Sequence, residues 1–201
     1  MEGYRIKPQE AALLIIDMQR GFLDQGSVME VPGGRAIVPN VRRLIDTCYA
    51  ARMPVIFTWY VWSPKVPNLI GELHSQHKPP ACCCMEGHES VEMVPELAPS
   101  QGDLVLKKHG YDAFFQTRLD YALRSSKKDQ LVVTGVMTDV CVLATVSSAL
   151  HREYRVTVVS DGVAASSEEA QKAALDLISR SFGRVATTED LVREILEGPR
   201  E

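Results

Sequence analysis

The chain has 201 residues, 45% of them hydrophobic and 24% charged, which is enough for one sizeable core. Its net charge of −4 leaves no basic stripe for nucleic acid or an anionic membrane surface, and apolar runs such as ALLII and LVV are too short to span a bilayer. The opening residues, MEGYRIKPQE, lack the apolar centre of a signal peptide, and five cysteines, with Cys82, Cys83 and Cys84 consecutive, do not form an extracellular disulfide framework. A reducing cytoplasm is the expected compartment.

Taken in order, residues 11–17 (AALLIID) read as a strand, 35–52 as a helix and 54–59 as a second strand. Residues 62–101 break the pattern with six prolines and little periodicity, which marks an excursion able to cover a site, not a second domain. Strands are expected again at 103–108, 130–134, 155–160 and 184–186. Helices are expected at 117–124, 139–152, 168–182 and 189–196. In the helix over 168–182, Ala170, Ala173, Ala174, Leu177 and Ile178 recur at helical spacing, and Ser166 or Ser167 stands as its cap. The strands are continuously apolar, as strands covered on both faces are. The alternation predicts one α/β domain: a doubly wound, mostly parallel six-stranded sheet with helices on both faces.

Ligands of such sheets bind beyond the carboxyl ends of the strands. Asp17 closes ALLIID, Lys108 closes LVLKK, and Cys141 follows LVVTG about one turn into a helix. Each has a bland reading: a turn-capping aspartate, a solvated lysine, a small buried cysteine. Together they form a working set. The thiolate is the nucleophilic form of cysteine. A lysine and a helix start favour that form, and a carboxylate can take the proton. These neighbours predict a thiolate accessible near neutral pH.

The segments LLIIDMQRGFLD, KHGYDAFFQTRLD and VVTGVMTDVCV, in that order, resemble the cysteine hydrolases of the isochorismatase-like superfamily, which include nicotinamidase, N-carbamoylsarcosine amidase and ureidoacrylate amidohydrolase. The resemblance covers about residues 11–189. GSVMEVPGG and IVPNVRRLI look closest to the carbamoyl and ureido amidases. The resemblance implies the Rossmann-like three-layer fold and a catalytic triad of Asp17, Lys108 and Cys141. Lys108 fits the motif of Lys, two residues, Tyr and a later aromatic such as Phe114; Lys107 does not. It also implies a cis peptide at Val136–Met137, which would turn the Met137 amide beside that of Cys141 as an oxyanion hole. The implied function is hydrolysis of a C–N bond in a small amide, carbamoyl or ureido compound through a cysteine thioester. Members that cleave a vinyl ether lack this cysteine. A homodimer or homotetramer is implied as well.

Two aromatics mark a departure. Where nicotinamidases carry metal ligands after the second strand, this chain has Tyr60 and Trp62, neither a good Zn²⁺ ligand. No metal or cofactor is therefore expected, although His74 and His77 lie nearby. Tyr60 and Trp62, with Phe22 and Tyr111, are expected to wall the substrate pocket, or simply to pack in the loop. Thr138 reads as a helix N-cap at a spacing that could claim the Cys141 amide. Cap and oxyanion hole cannot both use that amide fully, so the cap is open to another partner. Gly33-Gly34 reads as a turn and cap, His109 and His151 as solvated residues, and Cys82, Cys83 and Cys84 as incidental. Three alternatives stay open: a metal-dependent nicotinamidase, a non-catalytic binding module, and a thiol redox protein without Cys-x-x-Cys.

Overall fold

The computed structural model describes residues 4–198. Six strands form one sheet: β1 (Ala11–Ile16), β2 (Val55–Tyr60), β3 (Leu104–Lys108), β4 (Gln130–Val136), β5 (Arg155–Ala164) and β6 (Arg184–Ala186). Every neighbouring pair is parallel, in the order β3-β2-β1-β4-β5-β6. The connections run outward in both directions from β1 and β4, so the topological switch point lies between those two strands.

The helices are α1 (Arg20–Leu23), α2 (Val38–Ala50), α3 (Leu69–Leu73), α4 (Leu119–Ser125), α5 (Leu143–His151), α6 (Glu168–Ser181) and α7 (Thr188–Glu197). Strand alternation divides the apolar residues between two cores. Ala11, Leu13 and Ile15 face one core with Val41, Leu44 and Ile45 of α2 and Leu191 and Ile195 of α7. Ala12, Leu14 and Ile16 face the other with Leu119 and Leu123 of α4, Val146 of α5 and Ile178 of α6. All six β1 side chains are buried, which is why that strand is apolar at every position instead of alternating.

Helix starts follow local chemistry. Ser167 caps α6 by accepting from the Ala170 amide, and Thr187 with Asp190 forms a capping box on α7. The helix expected from residue 35 begins at Val38, with proline in its first turn, because proline has no amide to spend there. Trp62–Gln101 holds α3 and three short 3₁₀ turns, Ser75–His77, Glu89–Val91 and Pro95–Leu97. These lack the length for a periodic signal. Among the described residues no helix is long and apolar enough to cross a membrane.

At the switch point β4 comes against β1 with Gly135 opposite Ile16. Gly135 has φ +111°, and a β-carbon there would stand 2.0 Å from the Ile16 carbonyl oxygen. Neither the backbone conformation nor the space admits a side chain. Gly135→Ala should cost about 3 kcal/mol or more of unfolding free energy in denaturant titration, the sum of a strained dihedral and a backbone overlap. A loss under about 1 kcal/mol would show that this glycine does not set the β1–β4 approach.

Candidate active site

The rim of the sheet gathers three side chains from three strands. Asp17 follows β1 with φ +52°, a left-handed turn that aspartate tolerates better than most residues. Lys108 ends β3 beside Tyr60 of β2 in register. The Asp17 and Lys108 side chains are both 0% exposed, and Lys108 Nζ stands 2.6 Å from Asp17 Oδ2. Adjacent Lys107 points the other way, onto the exposed Glu86 at 2.6 Å, as strand alternation requires.

The ion pair is held from several sides. Thr58 of β2 donates to Asp17 Oδ1 at 2.6 Å. Lys108 Nζ donates to the carbonyls of Gly110 at 3.0 Å and Tyr111 at 3.2 Å, and sits 5.3 Å over the Tyr60 ring. Burial works to lower the pKa of the lysine; Asp17 and Cys141 offset it, and the net direction is up. The ammonium stays charged.

Cys141 lies in a π-helical turn, Thr138–Val142, between β4 and α5. The Met137 carbonyl accepts from the amides of Val140 and Val142, and this wider spacing passes over the Cys141 amide. π-turns of this kind recur at functional sites. The Val136–Met137 peptide that precedes the turn is cis. Thr138 does not cap the turn. Its hydroxyl donates to Gln171 Oε1 of α6 at 2.6 Å, so the competition with the oxyanion hole for the Cys141 amide does not arise.

The thiol itself departs from the expectation of a ready thiolate. Asp17 and Lys108 both act on its charge, but burial dominates, Lys108 lowers its pKa and Asp17 raises it, and the result is pushed up to about 12. At neutral pH Cys141 is a protonated thiol whose proton has a carboxylate beside it.

A cavity of about 80 Å³ opens over Cys141. Phe22, Met29, Met137 and Val140 form its apolar walls, and Tyr60, His74, His77 and Tyr111 its polar side. Phe22, Tyr60 and Tyr111 thus stand where a pocket wall was expected, and Trp62 does not. Trp62 is packed against α3, where a β-carbon on Gly71 would meet its indole nitrogen at 1.9 Å. It lies two residues past Tyr60, beyond the end of β2, so strand alternation no longer governs its direction. His74 and His77 come from the excursion and were not legible as pocket residues. His77 is fully engaged, with Nδ1 2.8 Å from the Cys83 carbonyl and Nε2 3.2 Å from the Tyr60 hydroxyl. His74 Nε2 stands 2.9 Å from the Tyr111 hydroxyl. Among the described residues no three His, Cys, Asp or Glu side chains gather to hold a metal ion.

Gln19 was also missed. Buried beneath Tyr60, it donates to the Tyr60 carbonyl at 2.9 Å and to the Val91 carbonyl at 2.7 Å, and accepts from the Tyr60 amide at 2.8 Å. It ties the end of β2 to the excursion. Cys83 and Cys84 are buried against Gly21 of α1 with their sulfurs 3.9 Å apart. His109 is half-buried and bonds the Val61 carbonyl at 2.7 Å, whereas His151 is exposed.

Known proteins share this arrangement of chain and sheet. Residues 11–190 match the isochorismatase domain. The ureidoacrylate amidohydrolase RutB of Pseudomonas syringae pv. syringae (strain B728a) is 33% identical over 94% of this chain and 85% of that protein. A cysteine hydrolase from Pseudomonas syringae pv. phaseolicola 1448A superposes with a TM-score of 0.92 at 27% identity, covering 97% of this chain and 96% of the other. N-carbamoylsarcosine amidase from Thermoplasma acidophilum superposes with a TM-score of 0.76 at 32% identity, covering 90% and 97%. Fold, domain match and relatives agree, and the chain belongs to the isochorismatase family.

Proposed function

We propose that this chain is an amidohydrolase that cleaves a C–N bond in a small amide, carbamoyl or ureido compound, with Cys141 as nucleophile. The observation that carries the reading is a buried thiol at the base of a small cavity, within reach of a buried Asp17–Lys108 pair. Relatives named as ureidoacrylate amidohydrolase and N-carbamoylsarcosine amidase support the substrate class.

The chemistry follows from the protonation state. Because the thiol rests protonated, attack requires its proton to pass to Asp17 as Sγ bonds to the carbonyl carbon. The negative charge then grows on the carbonyl oxygen, which the Met137 and Cys141 amides stabilise. Asp17 returns the proton to the nitrogen, ammonia or an amine departs, and a thioester remains. Asp17 next draws a proton from water as its oxygen attacks the thioester, and that proton restores the thiol. Lys108 keeps its charge throughout, holding the carboxylate in place and favouring the thiolate while it exists.

Two outcomes test the electrostatics in opposite directions. In the wild type, iodoacetamide should modify Cys141 near pH 7 more slowly than an exposed cysteine of pKa about 8.5, and faster as the pH rises toward 12. Asp17→Asn removes a charge that raises the thiol pKa, so alkylation should accelerate while kcat falls by about 10²–10⁴-fold. Lys108→Met removes a charge that lowers it, and alkylation should slow. A thiol that outpaces a free cysteine at pH 7, or shifts of the same sign in both variants, would overturn the assignment.

Cys141→Ala should abolish ammonia release from every small amide and urea that the wild type hydrolyses; retained turnover would make the cysteine a packing residue. Chelation gives a separate check. Both His77 nitrogens are committed within the protein, so EDTA should leave activity intact. Loss on chelation and recovery with Zn²⁺ or Fe²⁺ would replace this reading by the metal-dependent one.

A further inference from the structure

The Tyr60–His77 part of the cavity's polar side has a fixed hydrogen-bonding direction. His77 Nδ1 lies 2.8 Å from the Cys83 carbonyl oxygen. A carbonyl only accepts, so Nδ1 carries the proton. Burial lowers the His77 pKa, the Cys83 carbonyl opposes this, and His74 adds to the lowering. The ring is therefore neutral at neutral pH, and its Nε2 is an acceptor. The Tyr60 hydroxyl, 3.2 Å from that nitrogen, must be the donor. Burial, reinforced by Cys141, Tyr111, Cys84 and Asp17, pushes the Tyr60 pKa up, so the phenol keeps the proton it donates.

With its proton spent on His77, the Tyr60 oxygen has only lone pairs left to offer. The side chain is held in place for that use. Gln19 clamps its main chain on both sides, Lys108 lies over its ring face, and Tyr60 is 2% exposed. Of the nine residues around the cavity, Phe22, Met29, Met137 and Val140 offer apolar side chains. A committed acceptor in such surroundings selects for a ligand N–H, because an oxygen or methylene in its place leaves a desolvated lone pair unpaired.

We propose that Tyr60, polarised by His77 and the Cys83 carbonyl, determines specificity by accepting a hydrogen bond from the second N–H beside the substrate carbonyl. The inference rests on the amidohydrolase reading for its orientation. A planar carbonyl carbon sends its oxygen to the Met137 and Cys141 amides and its departing nitrogen to Asp17. The third substituent is left for Tyr60 to read. A ureido group carries N–H in that place; a carbamate ester carries oxygen and a simple carboxamide carbon. The site thus takes ureido compounds and rejects both isosteres.

The test uses matched ligands, an N-alkylurea, the O-alkyl carbamate of the same length and the corresponding alkanamide. Binding is measured by calorimetry on Cys141→Ala protein, and kcat/KM on protein that keeps Cys141. The urea should bind at least about tenfold more tightly than either isostere. Adding Tyr60→Phe, which keeps the ring under Lys108, should reduce that ratio to within about twofold. His77→Leu frees the hydroxyl to turn its proton inward and should also collapse the ratio, by improving carbamate binding. No urea preference, a preference that survives Tyr60→Phe, equal losses for all three ligands, or no binding at all would each overturn the inference. A urea preference in binding without turnover of any ligand would leave Tyr60's role standing and remove the amidohydrolase reading. Turnover without that preference would do the reverse.

Discussion

The rest of this site depends on one buried ion pair. Removing a carboxylate and an ammonium from water costs several kcal/mol per ion, and their attraction repays that only with good geometry and further hydrogen bonds. Here the compensation comes from separate pieces of the fold: Thr58 on β2 for Asp17, the Gly110 and Tyr111 carbonyls for Lys108, and the Tyr60 ring across the lysine. Each contact requires the register Ile16–Thr58 and Tyr60–Lys108 between neighbouring strands. A one-residue slip would turn the lysine outward, where Lys107 now lies, and strand the aspartate. The pair thus makes strand register and site integrity the same requirement.

The same pair sets the state of the thiol. Its two members act on Cys141 with opposite sign, so their net influence is small beside the cost of putting an anion in a dry site. Burial decides the resting protonation state. In the proposed reaction, what the pair supplies is a route for the proton: an acceptor at hand, held in place by a cation that does not itself titrate near neutral pH. In that reaction a site arranged this way keeps its proposed nucleophile quiet until a carbonyl can take the developing charge.

Much of this was legible in the residues. Asp17, Lys108 and Cys141 could be placed because each ends or follows a continuous apolar run, and parallel strands deliver their ends to one rim. The choice between Lys107 and Lys108 is a matter of strand parity once the motif spacing is read. Where periodicity stops, so does the reading. Tyr60 is the last residue of β2 and Trp62 lies beyond it, yet the two looked alike in sequence. Met29, His74 and His77 sit in irregular segments whose path depends on tertiary contacts. Thr138 has the local look of a cap, but a partner 33 residues away, Gln171, takes its hydroxyl. The thiol's protonation is hidden from the sequence for a related reason: charge partners are visible there, and desolvation is not.

On the proposed reading, the fold separates chemistry from recognition and joins them at one residue. The sheet carries Asp17, Lys108 and the β4 turn, all locked by register. The excursion carries His74, His77 and the Cys83 carbonyl, with His77 and Cys83 themselves buried. Tyr60 belongs to both. Its main chain is part of β2 and clamped by Gln19, its ring face meets Lys108, and its hydroxyl answers to His77. The lysine contact uses the face of the ring and the histidine contact its oxygen. A change in the excursion can therefore reverse the polarity that the cavity shows to a ligand without loosening the ion pair beneath it. On the proposed reading, that arrangement allows selectivity to vary while Asp17 and Lys108 are left in place.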